Sequence, residues 1–262
     1  MGWPDSPCNG RAEAAGGFNH GADGSKLVLR LSAACERGCT VFAVRYLLCC
    51  PVLCQRCGRA LFTGVLLMQI FYIHGFLSGP NAMKATMIRN YLKEHGRDDL
   101  VFESLSFPDT PREGVAAIFE HIDAWVKEHE GQPFAVIGSS LGGFYSSLVG
   151  TRWPCRAVLL NPCVHPQDYF VKLTGPQYNA NTDCHFELTP DMLTFLKEQD
   201  ETIKVNVPSV KVFLGTADEV LDYRRALEFY QGCDIRIVEG ADHALTEGFE
   251  ELIPEIIGFI KG

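Results

Sequence analysis

A chain of 262 residues with 47% hydrophobic and 21% charged residues can bury one sizeable core, and its balance is that of a globular domain, not of a fibrous or disordered chain. The formal net charge of -9 is unevenly spread: residues 1–67 hold 7 Lys/Arg against 4 Asp/Glu, leaving 16 against 28 in residues 68–262. An acidic body without a basic cluster cannot neutralise a phosphate backbone, which argues against nucleic acid as a partner.

Residues 1–67 carry seven of the 11 cysteines (Cys8, Cys35, Cys39, Cys49, Cys50, Cys54 and Cys57) and show no stable hydrophobic period. They read as a poorly ordered extension outside the core, or as upstream sequence before a start at Met68. The alternative is a zinc site on Cys35-x3-Cys39 and Cys54-x2-Cys57, since thiolates at this spacing can wrap a tetrahedral ion. No further Cys or His pair repeats the spacing, and neither a metal nor a cofactor is expected. Apolar stretches at 41–54 and 60–73 are broken by Arg45 and Arg59 and fall short of the ~20 residues that span a bilayer. No basic region followed by an apolar run marks a secretory signal. Cys155, Cys163, Cys184 and Cys233 are scattered without paired spacing and read as free thiols of a reducing compartment, so the expected location is cytoplasmic.

From Met68 onward, short β-branched or aromatic runs alternate with longer helical periods, which predicts an α/β domain over 68–262 with a mainly parallel sheet. Gln69–Ile73 reads as a buried strand ending in His74-Gly75. A helix capped by Asn81 follows, running to about His95 with Gly96 as its stop. Leu100–Ser106 reads as the next strand. Thr110-Pro111-Arg112-Glu113 is a capping box that opens a helix to about Glu128, with Val115, Ile118, Phe119, Ile122 and Val126 on one face. Pro133–Gly138 is a strand, Leu141–Arg152 a helix and Arg156–Asn161 a strand. Residues 162–207 break the rhythm with repeated prolines and one helical piece, Met192–Glu198, and read as a lid or cap insertion. The sheet resumes at Val210–Gly215, followed by a helix at Tyr223–Tyr230, a strand at Asp234–Glu239 and a closing helix at Phe249–Lys261.

Gly138-Ser139-Ser140-Leu141-Gly142 satisfies Gly-x-Ser-x-Gly between a predicted strand and a predicted helix, which is the setting of the nucleophile elbow of α/β-hydrolases. A serine hydroxyl needs a base, itself oriented by an acid, in the chain order serine, acid, histidine. Of the histidines downstream, His165 follows a mid-sheet strand and His185 lies in the insertion, whereas His243 sits just past the last strand, where a base can hang over Ser140. Asp218, after the strand Val210–Leu214, is the favoured acid; Glu219 and Asp222 are rivals, and Asp242 should point away from its neighbour His243. The amides of Leu141 and Phe76 are the candidate oxyanion donors, with Gly75 permitting close approach and His74 a structural residue of that loop.

His74-Gly-Phe-Leu-Ser-Gly-Pro, Gly138-Ser-Ser-Leu-Gly-Gly-Phe-Tyr, Leu160-Asn-Pro, Asp218-Glu-Val-Leu-Asp-Tyr and Asp242-His-Ala, in this order over about 68–262, closely resemble the YqiA/YcfP esterases, small bacterial α/β-hydrolases. The resemblance implies a compact sheet and cofactor-free hydrolysis of carboxylic esters or acyl thioesters. A small-molecule substrate would then meet pocket walls from the insertion, where Tyr169, Phe170, Tyr178 and Phe186 offer apolar surface. A catalytically silent hydrolase fold used for binding, a peptidase and an acyltransferase remain as alternatives.

Overall fold

Successive side chains of a strand point to opposite faces, so the run Ile70-Phe71-Tyr72-Ile73, buried throughout, requires cover on both sides. The computed structural model provides it. It describes residues 67–262, together with a two-residue antiparallel pairing of Val52–Leu53 with Ala60–Leu61; the expectations for the extension and its zinc spacing otherwise lie outside the described residues.

Six strands, β1 (Met68–Ile73), β2 (Leu100–Ser104), β3 (Phe134–Ser139), β4 (Arg156–Leu160), β7 (Val210–Gly215) and β8 (Asp234–Val238), form one sheet in the order β8-β7-β4-β3-β1-β2. Every neighbouring pair is parallel, as parallel strands joined through helices must be. Ile70 and Tyr72 of β1 share one core with Ile88 and Leu92 of α1 (Met83–Glu94) and with Ile253, Ile256, Ile257 and Ile260 of α7 (Phe249–Lys261). Phe71 and Ile73 share the other with Val115, Ile118 and Ile122 of α2 (Pro111–Glu128) and with Phe144 and Leu148 of α3 (Leu141–Arg152). Each such side chain contributes about 1.5–3 kcal/mol when removed from water.

The insertion is more structured than its composition suggests. It holds α4 (Pro166–Phe170), a hairpin of β5 (Gly175–Asn179) with β6 (Cys184–Leu188), and α5 (Pro190–Asp200), which extends the expected Met192–Glu198 at both ends. A short α6 (Tyr223–Phe229) precedes β8.

Three local expectations are corrected. Helix α1 is capped by Ala82, two residues before Lys84, and not by Asn81, whose side chain makes no cap bond. At α2 the box closes between side chains, Thr110 Oγ1 donating to Glu113 Oε2 at 2.5 Å, and neither side chain bonds the backbone. Cys155, Cys163 and Cys233 are free thiols, whereas Cys184 is disulfide-bonded, which corrects the expectation of a fourth free thiol. Among the described residues no helix is long and apolar enough to cross a membrane.

Candidate functional site

The carboxyl ends of β1, β3, β4, β7 and β8 open onto one rim, and the chemistry-bearing residues lie on the loops that leave them. At the end of β3 the chain turns into α3 through Ser140, whose φ of 55° and ψ of -121° lie outside the usual regions for a residue with a side chain. Such a conformation costs on the order of 1–3 kcal/mol and persists only where its surroundings fix it. Here Ser140 N donates to Leu160 O at 3.0 Å, and Ser140 O accepts from Gly143 N at 2.9 Å and Cys163 N at 3.0 Å.

The neighbouring glycines are required by contact. A Cβ on Gly142 would sit 2.0 Å from Ile73 O and 2.5 Å from His74 O, and one on Gly138 would sit 2.2 Å from Gly142 O. Gly143 faces Pro162, where its Cβ would lie 2.8 Å from Pro162 Cβ. Backbone atoms cannot yield as a side-chain tip can, so Gly142→Ala is expected to destabilise the fold by about 3 kcal/mol or more. Urea unfolding measures this, and a loss below about 1 kcal/mol would refute the contact argument.

His243 and Asp218 come together. His243 Nδ1 donates to Asp218 Oδ2 at 2.8 Å, since a carboxylate can only accept, and the Asp218 side chain is 2% exposed against 20% for His243. Asp218 Oδ1 accepts from Val220 N and Leu221 N, both at 2.8 Å. Nδ1 therefore carries a hydrogen, and Nε2 lies on the side of the ring away from Asp218. Among the described residues no hydrogen bond joins His243 to the Ser140 hydroxyl. Such bonds are commonly long in the absence of substrate.

The rivals for the acid are engaged elsewhere. Glu219 Oε2 accepts from the His243 backbone N–H at 3.0 Å. Asp222 caps α6 through Arg224 N and pairs with the Arg224 guanidinium. Asp242 points away from the imidazole and accepts from Thr246 N and Oγ1 at 2.7 Å each, bonds that hold its carboxyl below the ordinary range.

Asn161, at the end of β4, is a site residue to which the sequence assigned no role. Its Nδ2 donates to Asp242 O at 3.0 Å and His243 O at 2.9 Å, while its Oδ1 accepts from Gly215 N at 2.7 Å. One buried amide, on a residue with φ of 43°, thus ties the histidine loop to the strand end that leads to Asp218. Only its place in the Leu160-Asn-Pro motif hinted at this.

Gly75 brings the loop after β1 against the elbow, where its Cβ would lie 3.2 Å from Ser140 Cβ. His74 is buried, stacks on Phe107 at 4.1 Å and donates from Nδ1 to Gly75 O at 3.0 Å; burial lowers its pKa, in keeping with a neutral, structural ring. The Phe76 ring meets Phe170 at 4.7 Å and Phe186 at 6.0 Å, both edge-on. Tyr169 lines a small cleft with Asn161, Asp218 and Leu221. Tyr178 is not brought to the site: strand alternation pairs it with His185 on the outer face of the hairpin, 48% exposed.

Lys84, in the first turn of α1, is 8% exposed, and burial lowers its ammonium from 10.5 to about 8, against the opposing pull of the Asp242 and Asp218 carboxylates. The folded protein therefore binds this proton less tightly than the unfolded chain, so its stability rises between pH 8 and pH 10.5. Below pH 8 the buried charge opposes folding by on the order of 3 kcal/mol. Lys84→Met is expected to raise stability at pH 7 and to lose that advantage by pH 10.5, read from urea midpoints across this range; a pH-independent difference would count against the burial.

Several solved structures share the fold. Est1E from Butyrivibrio proteoclasticus superimposes with a TM-score of 0.58 at 16% identity, over 76% of this chain and 91% of that one. Mouse alpha/beta hydrolase domain-containing protein 10 gives 0.53 at 18% identity, over 74% and 89%. The esterase domain of a Rhodothermus marinus protein gives 0.53 at 17%, over 75% and 86%. These likenesses establish the α/β-hydrolase fold. Among sequence relatives, the UPF0227 protein ECA1814 of Pectobacterium atrosepticum is 24% identical over 162 residues, 61% of this chain and 81% of that protein. Residues 69–261 match the family model described as Uncharacterised protein family (UPF0227), the YcfP/YqiA-type family of the sequence resemblance, and the chain belongs to that family.

Proposed function

We propose that the chain is a serine hydrolase that cleaves carboxylic esters or acyl thioesters of small molecules, with Ser140 as nucleophile, His243 as base and Asp218 as the acid that orients it. The observation that carries this reading is the 2.8 Å bond from His243 Nδ1 to a buried Asp218 carboxylate, on the same rim as a serine held in the elbow conformation. His243 Nε2 takes the hydroxyl proton as Ser140 Oγ attacks the carbonyl carbon. The resulting oxyanion lies between the Leu141 and Phe76 amides, neither of which donates to a backbone carbonyl outside the regular elements among the described residues. The imidazolium then protonates the leaving alcohol or thiol, and an acyl-serine ester remains. Water, deprotonated by His243, attacks that ester and releases the acid. Phe170 and Phe186, against Phe76, form the apolar wall on the acyl side, and residues 162–207 act as a cap over the site.

A fluorophosphonate probe reacts only with an activated serine, and mass spectrometry locates its adduct. The expected adduct is on Ser140, accompanied by turnover within a panel of p-nitrophenyl esters, acyl thioesters and peptides. No adduct would favour a silent fold used for binding, and turnover confined to peptides would overturn the ester assignment.

A further inference from the structure

The loop from His74 to Asn81 has little internal support. Phe76 and Leu77 form a turn, but among the described residues no backbone-to-backbone hydrogen bond of good geometry involves Phe76, Leu77 or Ser78, and Leu77 has a φ of 51°. Left to themselves, these residues would have to pay the entropy of ordering from side-chain packing alone. Support comes instead from the turn of the β5–β6 hairpin, about a hundred residues further along the chain. Asn179 Nδ2 donates to Ser78 O at 2.7 Å, and Asn181 Nδ2 donates to Leu77 O at 3.0 Å.

The turn is itself anchored. Asn179 is 0% exposed; its Nδ2 also donates to Asp109 Oδ1 at 2.6 Å, and its Oδ1 accepts from Asn181 N at 2.9 Å. Thr182 Oγ1 donates to the other Asp109 oxygen at 3.0 Å. Asp109 lies on a third segment, between β2 and α2. Only a primary amide meets the demands at position 179, since it must donate to a carbonyl and a carboxylate while accepting from a backbone amide.

We propose that Asn179 and Asn181 are positioning residues that hold the Phe76 amide where an oxyanion develops, so that the hairpin is a fixed strut of the oxyanion hole and not a mobile lid. The proposal rests on the reading of Ser140 as nucleophile and Phe76 as donor. Donors aimed at developing charge act through their placement, and loss of one costs on the order of 100-fold or more in kcat. Loosening one donor should cost less than removing it.

The test uses the full chain with Asn179→Ala, Asn181→Ala and Asn179→Asp, the last setting a carboxylate against Asp109 and Ser78 O. Four quantities are read: kcat and KM for p-nitrophenyl acetate, the Ki of a trifluoromethyl ketone, which forms a tetrahedral oxyanion on the serine, and the melting temperature. Asn179→Ala is expected to lower kcat and raise the Ki together by roughly tenfold, and KM should stay within about twofold. Asn181 is exposed, so Asn181→Ala keeps the test open even where a change at the buried Asn179 unfolds the hairpin; it should move kcat and Ki in the same direction by roughly threefold. A folded Asn181→Ala with wild-type kcat and Ki overturns the proposal, as does an Asn179→Ala that melts lower without any change in Ki. A wild-type chain that neither turns over esters nor takes a fluorophosphonate on Ser140 overturns the hydrolase reading, and this inference with it.

Discussion

Replacing Ser140 with alanine is expected to lower kcat for ester hydrolysis by roughly 10⁶-fold, to a residue of activity that the oxyanion donors and binding alone can supply. The size follows from covalent catalysis: without Oγ no acyl-enzyme forms, and neither His243 nor Asp218 has anything left to activate. Alanine keeps the Cβ and therefore the same unfavourable φ of 55°, so the elbow is neither relieved nor further strained. Its backbone bonds to Leu160, Gly143 and Cys163 do not involve the hydroxyl. The melting temperature should accordingly stay within about 2 °C of the parent, and fluorophosphonate labelling should vanish. Turnover retained at the parent rate with p-nitrophenyl esters would remove Ser140 from the mechanism.

The parts of this architecture legible in the sequence are those written in local pattern. The run Ile70-Phe71-Tyr72-Ile73 could only be a strand buried on both faces, and Leu141–Arg152, Val210–Gly215 and Phe249–Lys261 begin and end where expected. Gly-x-Ser-x-Gly located the elbow because contact with β1 and within the turn forbids any Cβ there. The hairpin was missed because Gly175-Pro-Gln-Tyr-Asn has poor strand propensity; tertiary bonds from Asn179 and Asn181, not propensity, hold it. The roles of Asn161, Asn179 and Glu219 were equally hidden. Each acts by bonding a backbone group 24 to 101 positions away, and no spacing rule reaches that far. Tyr178 shows the converse limit, since an aromatic in an insertion reads as pocket wall until the register of its strand is known.

Asp218→Asn should lower kcat by roughly 10⁴-fold while sparing the fold, and the geometry explains both halves. Oδ1 accepts two backbone N–H bonds at 2.8 Å from Val220 and Leu221, a position that only the carbonyl oxygen of an asparagine could fill. The amide nitrogen is thereby turned toward His243, donor against donor at the 2.8 Å contact now made by Nδ1. The imidazole escapes this clash by moving its proton to Nε2, the atom that must be free to take the Ser140 proton. Asp218→Ala would lose the two loop bonds as well, so it should also destabilise the loop by about 1–2 kcal/mol, a difference that thermal melting resolves. The rival carboxylates supply the control. Glu219→Gln keeps an acceptor for His243 N and Asp242→Asn keeps one for Thr246 N, so each should retain kcat within roughly threefold. A collapse of kcat in Asp242→Asn or Glu219→Gln, with Asp218→Asn left active, would transfer the role of acid to the other carboxylate.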